Sequence, residues 1–248
     1  MIFVITHKKV ELQLPQNYSV LSVGSYNGEK DGFISDQSGD SISSENPSFC
    51  ELTGLYWIWK NYNKEDITGL VHYRRFFYAG KNILSYEKAA KYLEKCDVIL
   101  PEKSYLRRTN FQHYVSEELG CGFEKDLQEL RKVISEKHPD YLKEYDGFFN
   151  AKSAYFYNMM ICRREVLNAY CEWLFDILFE LQRRIDISAY DAYRKRIFGF
   201  MSERLLNIYV AHNKLKVKEV PVYKTGTTKT ERFKNKLKNA AKRIAGIF

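Results

Sequence analysis

Four consecutive residues, His72-Tyr73-Arg74-Arg75, close the apolar run over residues 67–71. Two guanidinium groups flanked by an imidazole and a phenol make a cationic patch. Its natural ligand is a phosphate or diphosphate, because arginine grips phosphate oxygens with paired hydrogen bonds. Side chains alternate along a strand, so only one of the two arginines faces a ligand while the extended geometry lasts. Two other apolar runs end in the same manner. Residues 2–6 lead into Thr6-His7-Lys8, and residues 18–23 stop at Gly24-Ser25. A carboxylate that could take a proton from a hydroxyl nucleophile stands at Glu203, and a second at Glu51. Glu51 suits equally a role as anchor for Arg74 or Arg75.

Short apolar runs, each ended by a polar turn, are the pattern of strands in an α/β sheet. In open α/β sheets, ligands bind beyond the carboxyl ends of the strands. That rule brings Thr6, His7, Lys8, Gly24, His72, Tyr73, Arg74 and Arg75 to one edge. Residues 27–46 are rich in Gly, Ser, Asp and Asn and carry Asp36 and Asp40. A loop of that length more often serves function than filler. Asn46-Pro47 predicts a helix start, with Asn as cap and Pro in the first turn. Phe49, Leu52, Tyr56 and Trp59 form its buried stripe by three- and four-residue spacing. Trp57 falls off that stripe and is placed among the candidate sugar contacts.

Downstream, helices are expected over residues 85–95, 124–136, 164–184 and 202–212. Strands are expected over 98–100, 155–162 and 217–222. Residues 104–122 read as polar and irregular. Strands alternate with helices, so the fold class is α/β with a mainly parallel central sheet flanked by helices. The helix start at residue 202 puts Glu203 in a first turn, where the helix dipole favours a carboxylate.

The 248 residues suit one α/β domain over residues 1–225 with a tail over 226–248. The net charge of +8 is concentrated in that tail, where seven Lys or Arg face the single acid Glu231. A near-neutral body argues against nucleic acid as a partner. In the tail, Phe233, Leu237, Ala241, Ile244 and Phe248 share one helical face, with basic residues over the remainder. That is the pattern of a helix lying on an anionic membrane surface. The five cysteines form no Cys-x-x-Cys pair and no apolar run spans a bilayer. No secretory signal is evident, so a cytoplasmic protein, peripheral at the inner face of the plasma membrane, is expected. The absence of a P-loop and of Gly-x-Gly-x-x-Gly argues against a kinase or dinucleotide enzyme.

Longer blocks carry a resemblance. Ile5-Thr6-His7-Lys8, the Asp-Gln-Ser-Gly-Asp-Ser-Ile stretch from Asp36, and Cys50-Glu51-Leu52-Thr53 with the residues to Asn61 resemble one bacterial family. So do Gly69-Leu70-Val71-His72-Tyr73-Arg74-Arg75-Phe76, Tyr157-Asn158-Met159-Met160-Ile161 and Gly199-Phe200-Met201-Ser202-Glu203-Arg204-Leu205. It is the domain of unknown function 4422 family of capsular and exopolysaccharide gene clusters, and the resemblance covers residues 1–222. It implies a GT-A-like nucleotide-sugar fold and transfer of a hexose, with UDP-galactofuranose or UDP-galactose favoured as donor. The acceptor it implies is a growing surface polysaccharide; with the tail on a membrane, a lipid-linked saccharide is expected. A catalytically inactive carbohydrate-binding or scaffold subunit is the alternative.

The segment Tyr155–Ile161 also resembles the strand on which glycogenin-type galactosyltransferases turn an Asn to the sugar. Asn158 and Met159 are therefore expected at the sugar. GT-A enzymes usually hold a divalent metal, Mn or Mg, with Asp-x-Asp. This chain has no Asp-x-Asp; its nearest features are Asp36-x-x-x-Asp40 and Glu144-x-Asp146. No residue is assigned as a metal ligand, and the two guanidinium groups are candidates to replace a metal at the diphosphate.

Overall fold

The computed structural model of the protein describes residues 1–116, 120–228, 230, 231, 234, 237, 240 and 241. The N-terminal strands are β1 (Ile2–Thr6), β2 (Tyr18–Ser22), β3 (Ile34–Ser35), β4 (Ile67–His72), β5 (Arg75–Ala79) and β6 (Asn82–Ile83). Then come β7 (Val98–Pro101), β8 (Ser104–Tyr105), β9 (Ser153–Ala154), β10 (Met160–Arg163), β11 (Val217–Val220) and β12 (Val222–Lys224). The main sheet runs in the order β11-β7-β10-β4-β1-β2-β3. β1 is parallel to β2 and β4, β2 to β3, and β7 to β11, whereas β10 is antiparallel to both its neighbours. This is the expected α/β class, a mainly parallel sheet flanked by helices.

Every residue of β1 is buried. Period-2 alternation divides them between two layers. Phe3 and Ile5 join a core with Leu55 of α2 (Leu52–Asn61), while Ile2 and Val4 join Phe76 and Phe77 of β5. The second layer is completed by Ala89 and Leu93 of α3 (Tyr86–Leu93), whose N-cap Ser85 accepts from the Lys88 N–H. The first is completed by Leu130 of α5 (Glu124–Lys137), Leu174 of α7 (Arg164–Arg184) and Leu205 of α8 (Ile197–His212). Gly69 lies where β4 passes closest to β10. A Cβ there would come within 2.4 Å of the Met160 carbonyl oxygen, so only glycine fits.

Several expectations need correction. The helix begun at Asn46 breaks after Phe49, because Cys50 takes a left-handed backbone (φ 55°) before α2 starts at Leu52. Asn46 does not cap; its side-chain amide donates to the Cys50 carbonyl and the Thr53 hydroxyl, bridging the break. The strand expected over 155–162 is only β10, since Tyr157 and Asn158 both have positive φ. The stretch 104–122 holds a short helix, Asn110–Val115, whose Thr109–Gln112 capping box is readable in the sequence. The last long helix starts at Ile197, so Glu203 lies in its second turn and the dipole at its N-terminus does not explain it.

No helix among the described residues is long and apolar enough to cross a membrane. In the amphipathic stripe of the tail, Phe233, Ile244 and Phe248 lie outside the described residues, while Leu237 and Ala241 are helical and exposed.

Candidate functional site

After β3 the chain returns to the other side of β1 to form β4, so the strand order reverses at β1. A crevice opens beyond the carboxyl ends at such a switch point. The register sets Thr6 beside Ser22 and Ile5 beside His72, so three strand ends finish nearly abreast. Over them lies a cleft of about 730 Å³ lined by Thr6, His7, Val23, Glu51, His72, Tyr73, Arg74, Arg75, Arg196 and Glu203, among others.

Both arginines of the patch reach it. His72 pairs with Arg75 in an antiparallel hairpin, and Tyr73-Arg74 is its turn. Strand alternation ends at His72, so it no longer forces the two side chains to opposite faces. Arg74 sits over the Tyr73 ring at 5.1 Å, and Arg75 over the Tyr157 ring at 4.7 Å. Neither guanidinium forms an ion pair among the described residues. Burial lowers the pKa of His7, and Arg74, Lys8 and Arg196 depress it further, so the imidazole tends to the neutral form.

The wall beside this patch is organised by Tyr157, which lines the cleft, and by Asn158 behind it. β10 runs antiparallel to β4, so the residues preceding it, not those following it, lie at the carboxyl end of β4. Two successive left-handed residues cost about 1–3 kcal/mol each. Fixed partners hold them in place. The Tyr157 N–H donates to Glu203 Oε1 at 2.9 Å. His72 Nε2 lies 2.6 Å from the Tyr157 carbonyl oxygen, and because a carbonyl only accepts, that nitrogen carries the proton. The Asn158 amide donates to Glu51 Oε1 at 2.7 Å and to the Gly199 carbonyl, and its oxygen accepts from Ser202.

Glu203 is 18% exposed and pairs with Arg204 at 2.9 Å. Burial raises its pKa above the usual carboxylate range; Arg204 opposes this and the Glu51 charge adds to it. Each of its oxygens accepts one bond within the protein, which leaves acceptor capacity facing the cleft. Arg204 is itself 2% exposed and bonded to the Phe200 carbonyl, so it is a fixed counter-charge.

Other expected site residues lie elsewhere. Asp36 is fully buried, and its carboxylate accepts from the Gly24 N–H and the Ser43 hydroxyl. It stabilises the loop and is closed to a donor or a metal. Gly24 does not line the cleft; its φ of +69° and a Cβ position 2.5 Å from Asn46 Oδ1 make it a tight-turn glycine. Asp40 accepts from the Tyr56 hydroxyl away from the cleft. Lys8 stands just outside the lining, 5.5 Å from the Tyr73 ring. Trp57 is buried, its indole N–H donating to the Ser38 carbonyl, and Met159 is fully buried in the second core layer. Asn158 is 5% exposed with both ends of its amide engaged, so it positions Glu51 rather than meeting a sugar directly.

Asp36→Ala is therefore expected to lower folding stability by about 1.5–3 kcal/mol while nucleotide affinity stays unchanged. Urea unfolding and nucleotide titration separate the two effects; lost affinity at wild-type stability would return Asp36 to the site.

The sequence reading missed Arg196, His113 and Tyr193, which also line the cleft. Arg196 follows a loop with no periodic signal and reaches the site by donating to Cys50 Sγ at 3.3 Å. The end of the cleft at Arg74 and Arg75 offers guanidinium and imidazole groups rather than carboxylates. Among the described residues no three His, Cys, Asp or Glu cluster to hold a metal. These residues do not fit the Asp-x-Asp type of metal site.

The sequence profile of the family described as a domain of unknown function (DUF4422) matches residues 1–214. No curated protein matches the sequence. A solved structure described as the apo form of the bifunctional glycosyltransferase WbbM superposes with a TM-score of 0.82 at 28% identity. The similarity covers 91% of this chain but 45% of that one, so this chain spans under half the length of WbbM. The likeness agrees with a GT-A-like fold.

Proposed function

The chain belongs to the domain of unknown function 4422 family, and on that premise we propose that it is a glycosyltransferase acting from a nucleotide-diphosphate sugar. One observation carries the reading: Arg74 and Arg75, without ion-pair partners among the described residues, line the same switch-point cleft as the partly buried Glu203. Cations that neutralise a leaving diphosphate and a carboxylate that accepts a hydroxyl proton are the two groups an inverting glycosyl transfer needs. The likeness to a bifunctional glycosyltransferase supports it.

In the proposed reaction the acceptor hydroxyl oxygen bonds to the anomeric carbon of the donor and gives its proton to Glu203. The bond from that carbon to the diphosphate breaks, and the electron pair leaves on the diphosphate facing Arg74 and Arg75. His72 and Tyr73 complete the pocket, with Thr6 and His7 at its base. Asn158 holds Glu51 as a second carboxylate whose charge helps keep Glu203 basic. The donor is UDP-galactofuranose or UDP-galactose, and the acceptor is a growing capsular or cell-surface polysaccharide on a lipid carrier.

A thermal-shift screen with UDP and UDP-hexoses, followed by UDP release with acceptor, tests the reading. UDP is expected to raise the melting temperature. A chain that neither binds UDP nor consumes any UDP-hexose is not such an enzyme. The basic tail is proposed to bring the enzyme to the cytoplasmic leaflet. Removing residues 226–248 is expected to abolish binding to anionic vesicles and to leave UDP binding intact. Equal vesicle binding by the truncated chain would remove the tail from membrane attachment.

A further inference from the structure

A second cleft of about 420 Å³ shares Arg75 and Tyr157 with the first. Its other walls are Val222, Tyr223, Lys224, Thr227, Glu231 and Lys234. β12 builds it by pairing antiparallel with β5, which sets Lys224 beside Arg75. Three cations thus surround the cavity with one acid. That acid is already engaged, because Glu231 Oε2 accepts from both the backbone and the hydroxyl of Thr228. These bonds hold its carboxyl below the usual range, with Lys234 adding to the effect. None of Arg75, Lys224 and Lys234 has an ion-pair partner among the described residues. The Tyr157 ring, 36% exposed, stands between the clefts and is fixed through its backbone to Glu203 and His72.

We propose that this second cleft binds a phosphate group carried by the acceptor. The inference rests on the reading of the first cleft as the donor site. Lysines and an arginine converging on one small cavity select a compact polyanion. Tyr157 and Tyr223 offer ring faces to the attached sugar. A phosphate held by Lys224 and Lys234 places that sugar against Tyr157, whose N–H touches Glu203. The acceptor hydroxyl then reaches the base past Tyr157, which lines both clefts. The phosphate comes from a glycosyl phosphate or from a lipid headgroup.

Calorimetry on the full chain, saturated with UDP to fill the first cleft, tests this with N-acetylglucosamine 1-phosphate as probe. The wild type is expected to bind it, and Lys224→Glu/Lys234→Glu to bind at least about tenfold more weakly, since reversed charges repel the phosphate. Lys224→Arg/Lys234→Arg should bind within about twofold of wild type. UDP affinity and melting temperature should match in all three proteins. A parallel arm uses phosphatidylcholine vesicles containing phosphatidylglycerol. Lys234 is also part of the basic tail, so this arm uses Lys224→Glu alone: vesicle binding lost in that variant, with no response to the sugar phosphate, assigns the phosphate to a lipid headgroup. If charge reversal changes neither probe, the proposal is overturned. If the wild type fails to bind UDP, the donor reading falls instead, and the sugar-phosphate titration without UDP still decides the second cleft.

Discussion

Glu203→Gln is expected to slow sugar transfer by about a hundredfold or more while UDP affinity stays within about twofold of wild type. The amide keeps the size of the side chain and an oxygen that accepts from the Tyr157 N–H, so the turn that carries Tyr157 survives. What it loses is the ability to take a proton. Release of UDP from a UDP-hexose in the presence of acceptor measures the first quantity, and calorimetry with UDP the second. Wild-type turnover in this variant would remove Glu203 from the chemistry. Joint loss of UDP binding and of folding would make it a structural carboxylate.

The same residue predicts a pH dependence. Burial lifts the Glu203 pKa above the ordinary 4.5, against the pull of Arg204. A base works only when ionised, so kcat/KM should fall as pH drops through the raised value, on a limb lying above 4.5. The stability term has the opposite sense. The folded protein holds this proton more tightly than the unfolded chain, so the contribution to stability declines as pH rises from 4.5 through the folded value. Comparing the pH-stability curves of wild type and Glu203→Gln isolates that slope.

Arg75→Ala and Arg74→Ala are each expected to weaken UDP binding by about 1.5–3 kcal/mol, on the order of ten- to a hundredfold. Each removes a cation with no competing carboxylate among the described residues, so the whole loss falls on the ligand. Arg75→Lys keeps the charge and discards the fork, so it should still bind more weakly than wild type. Calorimetry with and without a chelator gives the comparison, and chelation is expected to leave wild-type affinity unchanged. If both alanine variants bind like wild type, the diphosphate lies elsewhere. If chelation abolishes binding, a metal rather than the two guanidinium groups holds the diphosphate.

Much of the fold was legible because burial leaves a periodic trace. The helix Arg164–Arg184 was read with its observed bounds, since its stripe from Leu167 to Leu181 recurs at helical spacing. The strand ends at Thr6 and His72 were legible because each closes an unbroken apolar run. Direction was not. A period-2 pattern is the same whichever way the strand runs, so nothing in residues 155–162 announces that β10 is antiparallel. Nor do side-chain types announce two left-handed residues at Tyr157 and Asn158, where neither is glycine.

For the site, the sequence by itself determined the chemical inventory: an arginine pair after a strand, carboxylates at Glu51 and Glu203, and a basic tail. Tertiary structure decided what each group can do, because a polar side chain acts according to whether its partners are already inside the protein. Asp36 and Arg74 look equally available in the sequence. Folding saturates Asp36 with the Gly24 N–H and the Ser43 hydroxyl, while the hairpin turn leaves Arg74 at the cleft over the Tyr73 ring, without an ion-pair partner among the described residues. It also brings Arg196 against Cys50 across 146 residues and raises the Glu203 pKa by burial. These are effects of desolvation and long-range contact, which no local spacing encodes.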